Sequence, residues 1–332
     1  MPRSKQAHAV HMRTYGPPDV LTYAGVALPP LGPGEVRIRT IAAAVNHTDL
    51  EIRRGKWPVS KGDPFPYVPG VEVVGEVVEL GASAGDIRKG DCVITMMQGL
   101  GGVRAERPGS YAEYVTVASD AVAGIPSAVD PYDMAAIGLV GVTAYEGLRR
   151  IGHLAGKRIL VTGAAGGIGS AATAIARAQN AYVVGLVSRP AQIDDVCALG
   201  ANEVIVVPKG EMPTSLQPES MDGVLDAIGG YLFGPCVEAL RRNGVLSLVG
   251  AVAGSDVRFD AWSLIRPVTL TGYSSETLNG SSLRNAITTL ADWLVHGAIK
   301  PPARTHFPLA QAARAHALLE RGGVAGRVLL VP

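Results

Sequence analysis

Cysteine is scarce in this chain of 332 residues: Cys92, Cys197 and Cys236 are the full complement. No two lie within a few residues of each other, which excludes a CxxC zinc or redox motif. The odd, sparse count predicts buried structural thiols in a reducing compartment. Net charge is nearly absent as well. Thirty basic and 29 acidic residues leave +1, so no global field recruits nucleic acid or an anionic membrane. Aromatic residues amount to 5%, too few to outline a pocket. The N-terminal MPRSKQAHAVHMRTYG has no apolar stretch behind its basic residues, so no secretory signal is expected. Ile159 to Ala176 is uncharged for 18 residues and holds Gly163-x-x-x-Gly167, which imitates a membrane span. It is rich in Gly, Ala and Thr rather than Leu or Phe, and predicts a strand, a turn and a helix instead. The expectation is a cytoplasmic protein with no membrane segment.

What is present is apolar content: 47% hydrophobic against 18% charged residues, enough for sizeable cores, in a length that suggests two domains. Up to about residue 130 the chain runs through short β-type segments, among them VLTYAGV, EVRIRTIAAAV, VEVVGEVVEL, DCVITMM and SYAEYVTV. Pro- and Gly-rich separators such as KGDPFPYVPG and GLGGVRAERPG divide them, which predicts a compact β-barrel-like domain. From Asp130 the pattern alternates. Helix-type DMAAIGLVGVTAYEGLRRI is followed by RILVTG, YVVGLVS, EVIVV, GVLDAI and GVLSLVG as strands, with GGIGSAATAIARAQ, PAQIDDVCALG and GPCVEALRR as helices. Continuous apolar strands between helices predict a doubly wound parallel sheet covered on both faces. Two further helical patterns and a closing strand, GRVLLVP, follow residue 272, and that strand is expected to return to the first domain. The organisation read from sequence is therefore an α/β chain, with residues 1–129 and 272–332 in the β-barrel domain and 130–271 in the doubly wound parallel-sheet domain.

The stretch Gly163-Ala-Ala-Gly166-Gly167-Ile-Gly169 follows an apolar strand and opens an alanine-rich helix, the context a dinucleotide fingerprint requires. Gly163 permits the tight turn. Gly166 and Gly167, flanked by Ala165 and Ile168, let backbone amides approach a pyrophosphate on the helix N-terminus, and Gly169 lets helix and strand pack closely. The next strand ends in Ser188-Arg189 where an NAD site carries an acidic residue. A guanidinium can pair with a 2′-phosphate that a carboxylate would repel, so NADPH is expected over NADH; the alternative is an ordinary solvated arginine. Gly81-Ala-Ser83-Ala-Gly85 matches the GxSxG of hydrolases, but no helix pattern follows it, so Ser83 is read as part of a plain strand connection.

MRTYGPPDVLTY, PGVEVVGEVVELG, KGDCVI, GSYAEYV, GVTAYEGL, GAAGGIG, LDAIGG and GRVLLVP together resemble, in that order, the medium-chain dehydrogenase/reductases. The resemblance implies a GroES-like β-barrel catalytic domain split between the chain ends, a central Rossmann domain, a small-molecule substrate and a homodimer. Zinc members carry ligands where this chain has Asn46, Val71 and Leu139. Asn, Val and Leu supply no thiolate or imidazole. Residues 92–114 contain only Cys92, so the four-cysteine structural lobe is also missing. No metal is expected, and His47 and the other six histidines are read as structural or solvated.

The zinc-free pattern resembles the quinone oxidoreductase branch, including the zeta-crystallin-like proteins, which use NADPH and reduce quinones or the C=C bond of α,β-unsaturated carbonyls. Two departures stand out. Glu51 replaces a frequent tyrosine, and Gln192 and Val207 replace the usual Lys and Tyr neighbours of the 2′-phosphate. Ser188, Arg189, Lys209 and Arg321 are then the phosphate candidates. The resemblance makes Asn46 and Thr48 candidate donors to a developing oxyanion, with Asn46 also near the cofactor. Thr143, Asp226, Val249 and Gly250 are candidate cofactor contacts. Alternatives stay open: a locally satisfied turn for Asn46 and Asp49, and for Glu51 a proton donor, a selector of basic substrates or a solvated side chain beside Arg53 or Arg54. The competing functions are a specialised enoyl or iminium reductase of a biosynthetic pathway and a non-catalytic NADPH-binding protein.

Overall fold

The fold comes from a computed structural model, which describes residues 6–56, 64–97, 107–278, 280–322, 324 and 326–332. The separators KGDPFPYVPG and GLGGVRAERPG lie partly outside the described residues. The chain forms two compact units, one of Met1–Leu139, Ser275–Val295 and Pro301–Pro332, the other of Val140–Ser274 and His296–Lys300.

The first unit is built from antiparallel strands. β1 (Gln6–His11) pairs with β2 (Thr22–Ala27), and β3 (Glu35–Ala44) leads into the short helix α1 (His47–Arg53). β4 (Glu72–Leu80), β5 (Cys92–Met96), β6 (Tyr114–Ala118) and β7 (Val122–Gly124) follow. β3 pairs with both β4 and β6, β4 continues to β5, and β5 to β7. Val36, Ile38 and Ala42–Ala44 of β3 are buried, and Arg39 between them is exposed. Ser83 sits in the connection from β4 to β5 with no helix after it.

α2 (Pro131–Ile151) begins in this unit and ends in the second. There β8 (Arg158–Thr162), α3 (Gly167–Ala178), β9 (Tyr182–Val187), α4 (Ile193–Ala198) and β10 (Glu203–Val206) come first. β11 (Met221–Asp226), α5 (Phe233–Ala239), β12 (Leu240–Leu248) and β13 (Thr269–Gly272) complete the parallel sheet, in the order β10-β9-β8-β11-β12-β13. Ile159–Ala176 is thus strand, turn and helix, and among the described residues no helix is long and apolar enough to cross a membrane. Leu160, Val184, Ile205, Val224 and Leu246 from five strands pack with Phe233 and Val237 of α5. Truncating one such leucine to alanine costs about 2–5 kcal/mol. The strand order reverses between β8 and β11, so the loop after β8 opens at a topological switch point, where such sheets bind ligands.

The chain then returns to the first unit through α6 (Gly280–Val295), β14 (Arg304–Pro308), α7 (Ala312–Arg321) and β15 (Arg327–Val331). β15 runs antiparallel to β3, with Leu329 opposite Ala44 and Leu330 opposite Ala43, as a closing strand left over from the parallel sheet requires.

Two sequence expectations need correction. The helix expected over GPCVEALRR stops at Ala239, because Leu240 already pairs with Met221 and its two arginines belong to β12. Of the three thiols, only Cys236 is buried; Cys92 is half-buried and Cys197 is exposed, next to the buried Val196 that anchors α4.

Candidate active site

In the second unit the glycine cluster forms the turn from β8 into α3. Gly163 has φ of +59°, and Gly166, extended at φ −82° and ψ 174°, precedes the helix with no capping side chain. A Cβ at Gly169 would collide with the Gly163 carbonyl oxygen, so only glycine lets the helix start this close to the strand. The first turn carries no acidic residue, and its N–H groups and positive dipole end suit an anion. Gly166 is exposed, and Ala165, Gly167 and Ile168 are half-buried. These residues fit a dinucleotide pyrophosphate.

At the end of β9, Ser188 and Arg189 are exposed. The side-chain oxygen of Gln192 accepts from the Ser188 and Arg189 N–H groups at 3.2 and 3.0 Å and tightens the turn. Lys209 is exposed beyond β10, Val207 is buried, and Arg321 is exposed at the end of α7 in the first unit. Thr143 is buried within α2. Asp226 is fully buried at the end of β11. Its Oδ1 accepts from the Thr162 hydroxyl at 2.6 Å and from the Ile228 and Gly229 N–H groups, so this oxygen shapes the turn after β11. Val249 donates its N–H to the Asp226 carbonyl at 2.8 Å, and Gly250 lies against Ala227.

The first unit holds Asn46-His47-Thr48-Asp49 at the start of α1. Asn46 is buried, and its amide faces inward. Nδ2 donates to the Ala44 carbonyl at 3.2 Å and to Glu72 Oε2 at 3.0 Å, and Oδ1 accepts from Arg327 Nη2 at 2.6 Å. Both amide hydrogens are therefore committed, and the expectation that Asn46 donates to an acceptor oxygen gives way to a fixed N-cap. Asp49 Oδ2 accepts the Asn46 N–H at 2.8 Å. Burial pushes the Asp49 carboxyl up to about 7, against the lowering effect of that N–H. Burial also raises Glu72, against the Arg327 guanidinium, and lowers Arg327. Thr48 is half-buried, and among the described residues its hydroxyl takes no hydrogen-bond partner. Glu51 is the ion-paired residue of the open alternatives: Arg54 Nη1 donates to it at 2.7 Å, and the exposed His47 lies 3.9 Å away. Behind α1, buried His316 sits 3.0 Å from the Tyr111 hydroxyl and is held near 3, hence neutral, by burial and by Arg53 and Arg54.

Sequence reading missed Glu72 and Arg327. The available signals were a carboxylate inside the apolar run VEVVGEVV and a guanidinium at the head of the final strand. The positions where zinc members carry ligands hold no zinc donor set. Asn46 is engaged on both ends of its amide, Val71 and Leu139 offer no donor, and among the described residues no group of three His, Cys, Asp or Glu side chains is placed to hold a metal.

Comparison with known proteins relates the chain to established families. The family Alcohol dehydrogenase GroES-like domain matches residues 32–127, and the family Zinc-binding dehydrogenase matches residues 199–330. The chain is 31% identical over 323 residues to the NADPH-dependent alkenal/one oxidoreductase, chloroplastic, of Arabidopsis thaliana, covering 96% of this chain and 78% of that protein. It is also 31% identical to the 2-methylene-furan-3-one reductase of Solanum lycopersicum, covering 96% of this chain and 77% of that one. A mycobacterial quinone oxidoreductase structure superposes with a TM-score of 0.84 at 28% identity, over 98% of this chain and all of that one.

Proposed function

This chain belongs to the quinone oxidoreductase branch of the medium-chain dehydrogenase/reductases, and on that footing we propose that it is an NADPH-dependent, zinc-independent reductase of quinones or of the C=C bond of α,β-unsaturated carbonyl compounds. The observation that carries this reading is the uncapped glycine-rich start of α3 at the switch point, followed one strand later by Ser188-Arg189 in place of an acidic residue.

The N–H groups of Gly167, Ile168 and Gly169 at the start of α3 would hold the pyrophosphate, with Gly163, Ala165 and Gly166, whose N–H donates to the Gly163 carbonyl at 2.8 Å, shaping the turn. Ser188 and Arg189 would hold the 2′-phosphate, with Lys209 as a further cation, and Thr143, Val249 and Gly250 would line the nicotinamide end. When bound, NADPH supplies a hydride to the electron-poor carbon of the acceptor. The Thr48 hydroxyl donates a hydrogen bond to the acceptor's carbonyl oxygen, where negative charge develops without a metal to take it. Asn46 acts by fixing the start of α1. Glu51 shares its charge with Arg54, which favours a neutral enone or quinone over an iminium.

The protein works as a cytoplasmic homodimer. Three free cysteines suit a reducing compartment. Trp262 and Ile265, 75% and 69% exposed, lie with Leu264 on the segment that leads into the sheet-edge strand β13, an apolar patch suited to a second copy. The test of function is NADPH oxidation screened across quinones, enones, enoyl thioesters and cyclic imines. Turnover of quinones or enones is expected. Turnover of cyclic imines alone, or none at all, would overturn the reading.

A further inference from the structure

Glu72 is fully buried on a strand whose neighbours Val71, Val73 and Val74 are apolar, where an uncompensated carboxylate would cost several kcal/mol. It is compensated with unusual reach. Oε1 accepts the Leu139 N–H of α2 at 2.6 Å, and Oε2 accepts Asn46 Nδ2 at 3.0 Å. Arg327 Nη2, on the last strand, bonds Asn46 Oδ1 at 2.6 Å and stands 3.7 Å from Glu72 Oε2. A Cβ at Gly138 would collide with Glu72 Oε1, so the bare backbone there is what lets α2 come down onto the carboxylate. One carboxylate thus ties β4, α2 and the N-cap of α1 together, with its counter-charge brought from the far end of the chain.

We propose that Glu72, with Arg327, is a positioning residue for the reaction: it locks the Asn46 amide at both ends, fixes the first turn of α1, and so holds the Thr48 hydroxyl in place. An apolar side chain would fill the same volume without choosing one orientation for the amide. A misplacement of about 1 Å in such a donor can cost about 100-fold in rate. The proposal rests on the reading of Thr48 as the donor to the acceptor oxygen.

Its test is a double-mutant cycle of Glu72→Gln and Thr48→Val, read as kcat with an enone, NADPH affinity by fluorescence, and Tm. In Glu72→Gln the new amide nitrogen must face either the Asn46 nitrogen or the Leu139 N–H, donor against donor in both orientations. The expected result is a fall in kcat of about 10- to 100-fold at temperatures well below Tm, with NADPH affinity unchanged. If Glu72 acts through Thr48, the double variant loses little more than the larger single loss. Multiplying losses, or an unchanged kcat in a folded Glu72→Gln, would overturn the proposal. A second pair keeps packing separate from positioning. Glu72→Gln with Arg327→Met removes the stranded guanidinium, so Tm is expected to recover while kcat stays low; recovery of both would make Glu72 a packing residue only. Should Glu72→Gln fail to fold, Arg327→Lys, which keeps the charge but not the fork, enters the same cycle with Thr48→Val. Failure of the donor reading is distinct, because Thr48→Val would then leave kcat unchanged whatever Glu72→Gln does.

Discussion

Two helices in this protein begin in opposite ways. α1 starts on Asn46, whose side chain is bonded inward at both ends and whose N–H is taken by Asp49. α3 starts on Gly166, with no capping side chain and no acidic residue in its first turn. Both N-termini carry unsatisfied N–H groups and a positive dipole end by construction. At α1 the protein's own carboxylates hold the N-cap residue in place, whereas at α3 no side chain caps the start. The open end suits an incoming anion, and Thr48 lies in the first turn of the closed one. Residues of the sort that bind ligands, an amide and two carboxyls, serve here to hold the frame.

The largest effect that would break this contrast is at Thr48. Thr48→Val keeps the shape and removes the donor, and kcat is expected to fall about 100-fold or more, while Thr48→Ser keeps most of it; steady-state kinetics with one enone decides. Next comes the open end. Gly169→Ala sets a methyl group against the Gly163 carbonyl, and a displaced loop is expected to weaken NADPH binding about 10- to 100-fold, read by fluorescence titration. Arg189→Ala sharpens the same end. It should weaken NADPH about 10-fold and leave NADH unchanged, so equal losses for both would remove the guanidinium from the phosphate site.

The last effect is on stability, at the closed end, and depends on pH. Asp49 is raised by burial to about 7 from an ordinary 3.8, so its neutral form is favoured in the fold. A carboxyl raised in this way contributes stability that is complete below about pH 4 and is lost as pH rises to about 7. Glu72, raised too, acts in the same sense. Asp49→Asn should remove its share of the slope, up to about 1.4 kcal/mol per pH unit, measured as urea midpoints between pH 4 and pH 7.

Much of the architecture was legible in the sequence because it rests on local periodicity. The apolar runs that became β8, β9, β11 and β12 and the glycine cluster before α3 are short-range patterns, and strand, turn and helix over Ile159–Ala176 followed from its composition and the order of its apolar, glycine and alanine runs. The orientation of Asn46 was not legible, since its partners Glu72 and Arg327 lie 26 and 281 residues away and meet it only through sheet register. The early end of α5 had the same cause, because Leu240 is claimed by its strand neighbour Met221. Glu51 beside Arg54, by contrast, lay within one helical turn and was among the readings the sequence allowed.

The most direct test of the account measures metal content and turnover in one sample: protein treated with a strong chelator, assayed for zinc by elemental analysis and for NADPH oxidation with an enone and a quinone. The account predicts full turnover with no zinc in proportion to protein. Turnover lost on chelation and restored by zinc would contradict it.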